Sequence, residues 1–487
     1  METGIKTLIS LSLICLLIVF TSGIGLIGVR RLSMDLPQLL VGGRSLGRML
    51  LWLLMAGENY TSYTFLGAAG WAYSKGVVAF YVFASFTISC ILTFFIFPPL
   101  WRAARTNGLM TSADYFEDAY KSRWLGVAAA AVGFVALVPF VTLQLTGIQI
   151  FLQIASYGKV TSVSAAGVAF LAIVAFILVG GIRGVAFASI FKDAMMVGAL
   201  LFAGIALPIH FAGSPVAVIN RVLLQYPHWM TLADHGGEFG LRWFISTILL
   251  AAGGAVMWPH AVAASFSARN EDAIRWNAVR LPFYQLMLLL VYFAGFTALM
   301  VRPGLTGAAV DQSFMLLVQE HYSPWVLGTI AGTGCLAALL PAGAQVLAAA
   351  SLISRNIVGP ITGNREQQRT GTTRWLVILV ATMAFGLWAF ANTTIIGLVL
   401  MGYTIIVQLL PGVIFSFLAT PPKAISIGAG LIVAFLIILS SAFFQIRTFG
   451  GINIGLVALV ANCLGIAVSE YFCFVASPAR RLTASQP

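Results

Sequence analysis

The fold is decided by residues 56–64, Ala-Gly-Glu-Asn-Tyr-Thr-Ser-Tyr-Thr, a polar run inside an otherwise apolar stretch. Apolar residues 51–55 precede this run, and Phe65-Leu66-Gly67 follow it. A second interruption lies at 251–260, where Ala-Ala-Gly-Gly leads towards Trp258-Pro259-His260. Glycine and proline loosen the hydrogen-bond ladder of a helix. The two stretches therefore predict two broken helices.

The composition places these breaks in a membrane. The chain has 487 residues, of which 60% are hydrophobic and 9% are charged, whereas about 25% of a soluble domain is charged. Such a chain cannot cover its surface with polar groups, so a soluble protein is excluded. The net charge of +12 would suggest nucleic acid as the partner of a soluble protein. Here the excess of cytoplasmic Lys and Arg in membrane proteins explains it, and no nucleic-acid partner is expected.

Hydropathy over a window of about 19 residues predicts an all-α integral membrane protein with thirteen transmembrane helices. The first span is interpreted as a retained helix, not a signal peptide, because it lacks a cleavage site and is followed by Arg30 and Arg31. The predicted spans run near 7–29, 48–74, 77–101, 124–156, 160–181, 186–210, 241–264, 281–301, 324–354, 374–391, 393–419, 423–445 and 451–475.

The basic residues predict the orientation in the cell membrane. With the N-terminus outside and the C-terminus in the cytoplasm, seven of the 27 Lys and Arg residues fall outside, one falls within a span, and nineteen fall in the cytoplasm. This asymmetry follows the positive-inside rule. The outer seven are Lys6, Lys75, Lys159, Arg221, Arg242, Arg302 and Arg447.

The spacing of the two breaks predicts an internal repeat. Spans 2–6 (residues 38–210) and spans 7–11 (residues 211–419) each begin with a broken helix. Because each unit has an odd number of spans, the second is inserted upside down relative to the first. The remaining parts are the first helix with its cytoplasmic entry (1–37) and spans 12 and 13 with a tail (420–487). Broken helices at corresponding positions of two halves point to the midplane site of a transporter.

Four stretches lie in one order along residues 38–360: Gly42-Gly43-Arg44-Ser45-Leu46-Gly47, Phe65-Leu66-Gly67 with Gly70-Trp71, Gly180-Gly181-Ile182-Arg183 and Ser354-Arg355-Asn356-Ile357. They resemble motifs of the sodium/solute symporter family, which includes sodium/glucose and sodium/proline transporters. The family resemblance implies a five-plus-five inverted repeat of the leucine-transporter type. Within the family, three further stretches look most like the branch that contains bacterial monocarboxylate permeases: Lys192-Asp193, Trp258-Pro259-His260 and Leu340-Pro341-Ala342.

The resemblance also implies a sodium site. Its backbone carbonyls would come from Gly57 and Tyr60 in the second span and from Ala338 in the ninth. The two hydroxyl ligands of the family fall on Pro341 and Ala342, which have no side-chain oxygen. Hard cations need several oxygen ligands, so sodium coupling is in doubt and a proton is the other coupling ion considered.

Lys192 is an intramembrane cation and therefore a functional-site hypothesis. The family's aspartate early in the sixth span falls on Ser189, about one turn before Lys192. In one interpretation the Lys192 ammonium occupies the cation position, with Glu58 or Asp193 as a proton-exchanging partner. In the other, Lys192 snorkels to the cytoplasmic surface. Neighbouring helical residues point in directions about 100° apart. If one of Lys192 and Asp193 faces the cation site, the other is therefore expected to point elsewhere.

The solute site is expected between the two breaks. Trp258 would supply an apolar wall and His260 a titratable donor suited to a carboxylate. Helix N-termini exposed by the breaks also favour an anionic group. The remaining candidates are hydrogen-bonding groups near the breaks or in the eleventh span: Asn59, Thr61, Ser62, Thr64 and Gln408.

These observations predict a secondary active transporter, a symporter of a small organic solute and a cation, with a monocarboxylate as the expected solute and no cofactor. A proton-coupled or uncoupled permease for an amino acid is an alternative. An embedded enzyme is disfavoured because the five histidines are scattered without metal-ligand spacing. A sensor or channel is the remaining class. The sequence leaves open the solute, the coupling ion and the oligomeric state.

Overall fold

Helices form nearly all of the protein in the computed structural model, which describes residues 2–29, 36–232, 239–362, 366–390 and 393–475. Arg30 and Arg31, and the predicted cytoplasmic tail after residue 475, lie outside the described residues.

Among its described residues, the N-terminal half contains ten α-helices. Short 3₁₀ segments occupy Gly42–Arg44, Gly76–Phe80 and Pro227–Met230, and π-helical turns occupy Tyr63–Ala68 and Phe202–Ala206. The α-helices are α1 (Glu2–Val29), α2 (Leu36–Val41), α3 (Arg48–Asn59), α4 (Ala69–Lys75), α5 (Tyr81–Asn107), α6 (Ser112–Tyr120), α7 (Arg123–Ala155), α8 (Ser162–Leu201), α9 (Leu207–Ala212) and α10 (Pro215–Gln225).

In the part of the C-terminal half that the structure describes, there are twelve more α-helices and one small hairpin of strands β1 (Thr448–Phe449) and β2 (Ile452–Asn453). Gly307–Gln312 and Val407–Leu409 are 3₁₀ segments, and Leu352–Val358 is π-helical. The α-helices are α11 (Leu241–Ala255), α12 (Pro259–Phe266), α13 (Glu271–Gln285), α14 (Leu288–Val301), α15 (Ser313–His321), α16 (Pro324–Ser351), α17 (Gly359–Thr362), α18 (Glu366–Phe390), α19 (Ile395–Ile406), α20 (Leu410–Phe415), α21 (Ala424–Phe443) and α22 (Ile454–Val475).

Ten helices within the described residues are long and apolar enough to cross a bilayer, and eleven if α11 and α12 form one bent span. One of the ten runs from Tyr63 to Asn107 and joins the end of the predicted second span to the third. The predicted fifth and sixth spans both fall in the continuous helical run that contains α8, where Ser162–Leu178 is a shorter apolar helix.

Both predicted interruptions are breaks in the structure. After α3, Tyr60 is extended (φ −94°, ψ 98°), and a π-helical turn then leads into α4. Between α11 and α12, Trp258 leaves the helical region (φ −57°, ψ 127°), and the two helices differ in direction by 45°. Each break leaves backbone groups without helical partners at bilayer depth, where protein must satisfy them.

Helix α16 lies at the centre of the bundle and packs against α1, α7 and α8. In its most apolar stretch 94% of the residues are buried, whereas in the most apolar stretch of α22 only 17% are. A helix that is apolar on all sides must be enclosed by protein or lipid. Helix α16 is therefore a core element, and α22 presents most of its surface outwards.

The first break is held in place by α7. The Ser62 hydroxyl donates to Gln144 Oε1 at 2.8 Å, and the Ser62 amide approaches the same oxygen at 3.3 Å. Gly147, one turn further along α7, lies directly against the Ser62 side chain, so that a Cβ at this position would collide with it. The absence of a side chain at Gly147 allows the break to pack against α7.

We expect Gly147→Ala to lower the thermal unfolding midpoint, because overpacking a buried contact costs roughly 1–3 kcal/mol. The measurement is thermal unfolding of the purified protein in detergent. Gly167→Ala in α8 is the matched control, since a Cβ there meets no heavy atom within 4 Å. Equal midpoints for the two variants would contradict the packing role of Gly147.

Candidate solute and cation site

A cavity of about 110 Å³ lies between the two helix breaks. A buried water needs roughly 10–15 Å³, so the cavity has room for several waters or one small solute. Residues of α3, the π-helical turn, α5, α7, α12, α13 and α19 contribute to its wall. It is therefore formed where both broken helices meet the surrounding bundle.

Five of the seven predicted solute residues line this cavity: Asn59, Thr61, Thr64, Trp258 and His260. Thr61 and Thr64 also satisfy the broken backbone, and Asn59 bonds back to a carbonyl within α3. Thr64 Oγ1 accepts from the Thr61 amide at 3.2 Å, Thr61 Oγ1 accepts from the Tyr63 amide at 3.1 Å, and Asn59 Nδ2 donates to the Met55 carbonyl at 2.7 Å. These side chains both border the cavity and stabilise the break.

Aromatic rings form one wall. The rings of Phe140 and Trp258 stack with their centroids 4.5 Å apart and an angle of 9° between the planes. The His260 ring lies 5.7 Å from each of these two rings, and Tyr403 lies 5.5 Å from Trp258. Stacking of this kind adds roughly 0.5–1.5 kcal/mol to the burial of the rings, so the wall is well fixed.

A polar stripe on α5 was missed in the sequence analysis. Tyr81, Ser85, Ser89 and Thr93 recur every four residues, and all four line the cavity. Residues at this spacing share one face of a helix, so the pattern was a usable signal. The further polar residues that the sequence analysis did not select are Tyr63, Gln285 and Tyr403.

Several buried polar atoms in the cavity wall have no hydrogen-bond partner among the described residues. They are Glu58 Oε1, Tyr63 Oη, Tyr81 Oη, Trp258 Nε1 and His260 Nδ1. Buried polar atoms are normally paired, and an unpaired one costs roughly 1–3 kcal/mol. Five such atoms around one cavity indicate that a polar ligand or water belongs there.

The other two predicted solute residues pack elsewhere. Ser62 faces Gln144 on α7. Gln408 Nε2 donates to the Gly455 carbonyl at 3.1 Å, and Asn462 Nδ2 donates to the Gln408 carbonyl at 2.9 Å. Neither lines the cavity. Both residues stand near helix breaks, which is why they were expected at the site, but their position in the sequence does not specify which helix each side chain faces.

Lys192 does not reach the cytoplasmic surface, so the snorkelling interpretation is wrong. Its side chain is fully buried, and Nζ donates to the Gly57 carbonyl at 2.7 Å. Nζ also lies 2.7 Å from Asp193 Oδ1. The expectation that only one of Lys192 and Asp193 reaches the site does not hold either, because the flexible lysine stem lets the ammonium beside Gly57 contact the neighbouring carboxylate.

The other predicted ion-site residues surround this pair or lie in the core. A Cβ on Gly57 would lie 2.9 Å from both Lys192 Nζ and Ser189 Oγ. Tyr60 is buried and donates to the Tyr284 carbonyl at 2.7 Å. Ala338, Pro341 and Ala342 are buried in α16, and none has a side-chain oxygen. Among the described residues, no group of three or more His, Cys, Asp or Glu side chains could hold a metal ion.

Two larger cavities lie on either side of the central cavity between the helix breaks. One of about 930 Å³ includes Trp71, Trp243 and Phe239 in its wall, and one of about 840 Å³ includes Asp114 and Arg355. Trp71 and Trp243 pack on Tyr81, which lines the central cavity, with ring centroids 5.8 and 5.6 Å from it. The aromatic cluster therefore separates the first of these cavities from the central one.

A bundle with two broken helices around a cavity that gathers a few polar groups is the architecture of a membrane transporter. The sodium:solute symporter family model matches residues 39–419, and the chain belongs to this family. It is similar to the "Uncharacterized symporter YhjB" of Bacillus subtilis (39% identity, covering 79% of each chain). It is also similar to the "Monocarboxylate transport permease protein" of Rhizobium johnstonii (26% identity, covering 81% of this chain and 80% of the other).

Solved structures agree in fold. The chain resembles a Na⁺-coupled sialic acid symporter in a substrate-bound, outward-open state with a TM-score of 0.77 and 12% identity, covering 95% of this chain and 97% of the other. These relatives are transporters and not enzymes. The protein is therefore a multi-pass membrane protein of a symporter family, with transport and not catalysis as its activity.

We expect Gln408→Ala to lower the free energy of unfolding by about 0.5–1.5 kcal/mol. The substitution removes the Gln408 Nε2 donor to the buried Gly455 carbonyl and the 3.3 Å contact of Asn462 Nδ2 with Gln408 Oε1, while the bond of Asn462 to the Gln408 backbone carbonyl stays. The solute KM should stay unchanged, since Gln408 does not line the cavity. Denaturant unfolding and transport kinetics measure the two effects. Asn59→Ala, at the cavity wall, is the comparison. A raised KM for Gln408→Ala at unchanged stability would be inconsistent with a packing role.

Proposed function

We propose that the protein imports a small monocarboxylate together with a cation by alternating access. The observation that carries this proposal is the convergence of unpaired polar groups on one enclosed cavity between two broken helices. Cavities with a few convergent polar groups in apolar walls are typical of small-molecule sites. The printed name of the Rhizobium relative supports a monocarboxylate as the solute.

In this proposal the chain forms thirteen spans with a five-plus-five inverted repeat of residues 38–210 and 211–419. The N-terminus lies outside and the C-terminus in the cytoplasm of the cell membrane. The positions of the two breaks, each at the start of one unit, support the repeat. The two flanking cavities are the expected access routes on the outer and cytoplasmic sides.

His260, Tyr63 and Tyr81 are the proposed donors to the solute carboxylate. Their ring and hydroxyl atoms face the cavity without partners among the described residues. His260 also stands in the first turn of α12, whose N-terminus carries a partial positive charge that favours an anion. The stacked Phe140 and Trp258 would contact the apolar part of the solute.

A second candidate solute is an amino acid, which Glu58 favours. The Glu58 carboxyl lines the cavity, and its Oε1 has no partner among the described residues. A carboxylate in this position would pair with the ammonium group of an amino acid but repel a simple carboxylate. The two solute classes therefore place opposite demands on Glu58.

Uptake into proteoliposomes tests the transport function. Sodium and proton gradients are imposed separately, and labelled monocarboxylates and amino acids are screened. We expect accumulation of a monocarboxylate above equilibrium, lost when the driving gradient is collapsed. Equilibration without accumulation under every gradient would indicate a channel and contradict the proposal.

Glu58→Gln distinguishes the two solute classes. We expect this variant to retain binding of a monocarboxylate, because the amide keeps the shape and a donor. Binding of an amino acid would fall more than tenfold, since losing a hydrogen bond to a charged group costs about 1.5–3 kcal/mol. Ser89→Ala is the control, because the Ser89 hydroxyl lines the cavity but donates to the Phe86 carbonyl of its own helix. Competition binding measures both.

A further inference from the structure

The first helix break leaves the carbonyl of Gly57 without its helical donor. In an unbroken helix the Thr61 amide would donate to Gly57 O. Here the Thr61 amide points to Thr64 Oγ1 at 3.2 Å, while the Gly57 carbonyl accepts from Lys192 Nζ at 2.7 Å. A side chain of α8 therefore replaces the missing backbone donor of the break between α3 and α4.

The Lys192 ammonium is fully buried and paired with an opposite charge. The side chain has no exposed surface, and Nζ lies 2.7 Å from Asp193 Oδ1, whose own side chain is only 6% exposed. A charge this deep in a membrane protein requires a partner, and Asp193 supplies the opposite charge. Ser189 Oγ lies beside Gly57 as well, since a Cβ added to Gly57 would lie 2.9 Å from both Ser189 Oγ and Lys192 Nζ.

The surroundings of Nζ are those of a small-cation site. They comprise a backbone carbonyl from Gly57 and a carboxylate from Asp193. The hydroxyl oxygen of Ser189, which donates to the Val185 carbonyl, lies nearby beside Gly57. Oxygen atoms of these three kinds are the donors that hard cations prefer. The difference from a metal site is that the cation is covalently attached to α8.

We propose that Lys192 is a built-in cation, which joins α8 to the broken helix in place of a free metal ion. The consequence for transport, which rests on the proposed function, is that solute uptake does not require sodium at this position. The structural consequence does not rest on the proposed function. The native fold needs no added cation at the break, whereas a variant without the Lys192 ammonium should need a cation there to be equally stable.

The test is thermal unfolding of the full-length protein in detergent, in sodium, methylammonium or choline chloride at equal ionic strength. The wild type should have the same midpoint in all three salts. Lys192→Ala should unfold several degrees lower in choline and recover with a saturable dependence on sodium or methylammonium, because a ligand that binds only the folded state stabilises it. Lys159→Ala, at an exposed position in a loop, should behave as the wild type.

Lys192→Met separates the charge from the space that the side chain fills. Its unbranched stem occupies much of the lysine volume but carries no ammonium, so its midpoint should be low in all three salts without recovery. A saturable rise of the wild-type midpoint in sodium but not choline would overturn the inference. So would a Lys192→Ala protein whose midpoint is unchanged or does not respond to either cation.

The wild-type comparison remains decisive if the variants do not fold, because it needs no substitution. The two proposals also fail separately. Absence of accumulation for every solute would refute the proposed transport function without affecting the unfolding midpoints. Sodium-dependent stabilisation of the wild type would refute the built-in cation while leaving symport intact.

Discussion

Satisfaction of the backbone at the first helix break is the constraint on which the rest of the site depends. Lipid offers no hydrogen bonds, so each polar group freed by a break must find a partner within the protein. The chain meets this demand with side chains. Lys192 donates to the Gly57 carbonyl, Thr64 accepts from the Thr61 amide, and Gln144 accepts from Ser62.

These partners impose further requirements on their neighbours. Gly57 must lack a side chain because Lys192 Nζ and Ser189 Oγ occupy the space beside it. Asp193 must be close because Lys192 is fully buried and an uncompensated charge there would be costly. Gly147 must be small so that α7 can approach Ser62. One broken helix therefore explains the residue types at several distant positions.

Much of the site could be predicted from the sequence, because breaks and polar runs in apolar segments are visible in it. Asn59, Thr61, Thr64, Trp258 and His260 were all expected at the solute site, and all line the cavity. The stripe from Tyr81 to Thr93 had a helical spacing and could have been recognised. Ser62 and Gln408 stand beside similar breaks, but their side chains face α7 and α22, and the sequence does not encode which neighbour a helix face meets.

The sequence by itself determined the membrane environment, the helical class and the positions of both breaks, because composition and the placement of glycine, proline and polar residues act locally. Only the tertiary structure decided where the charges go. Lys192 could equally have extended its long stem to the membrane surface, and its i+1 neighbour Asp193 could have faced another helix. The packing of α8 against the break brought Nζ to the Gly57 carbonyl, because that contact satisfies a buried acceptor and a buried cation at once.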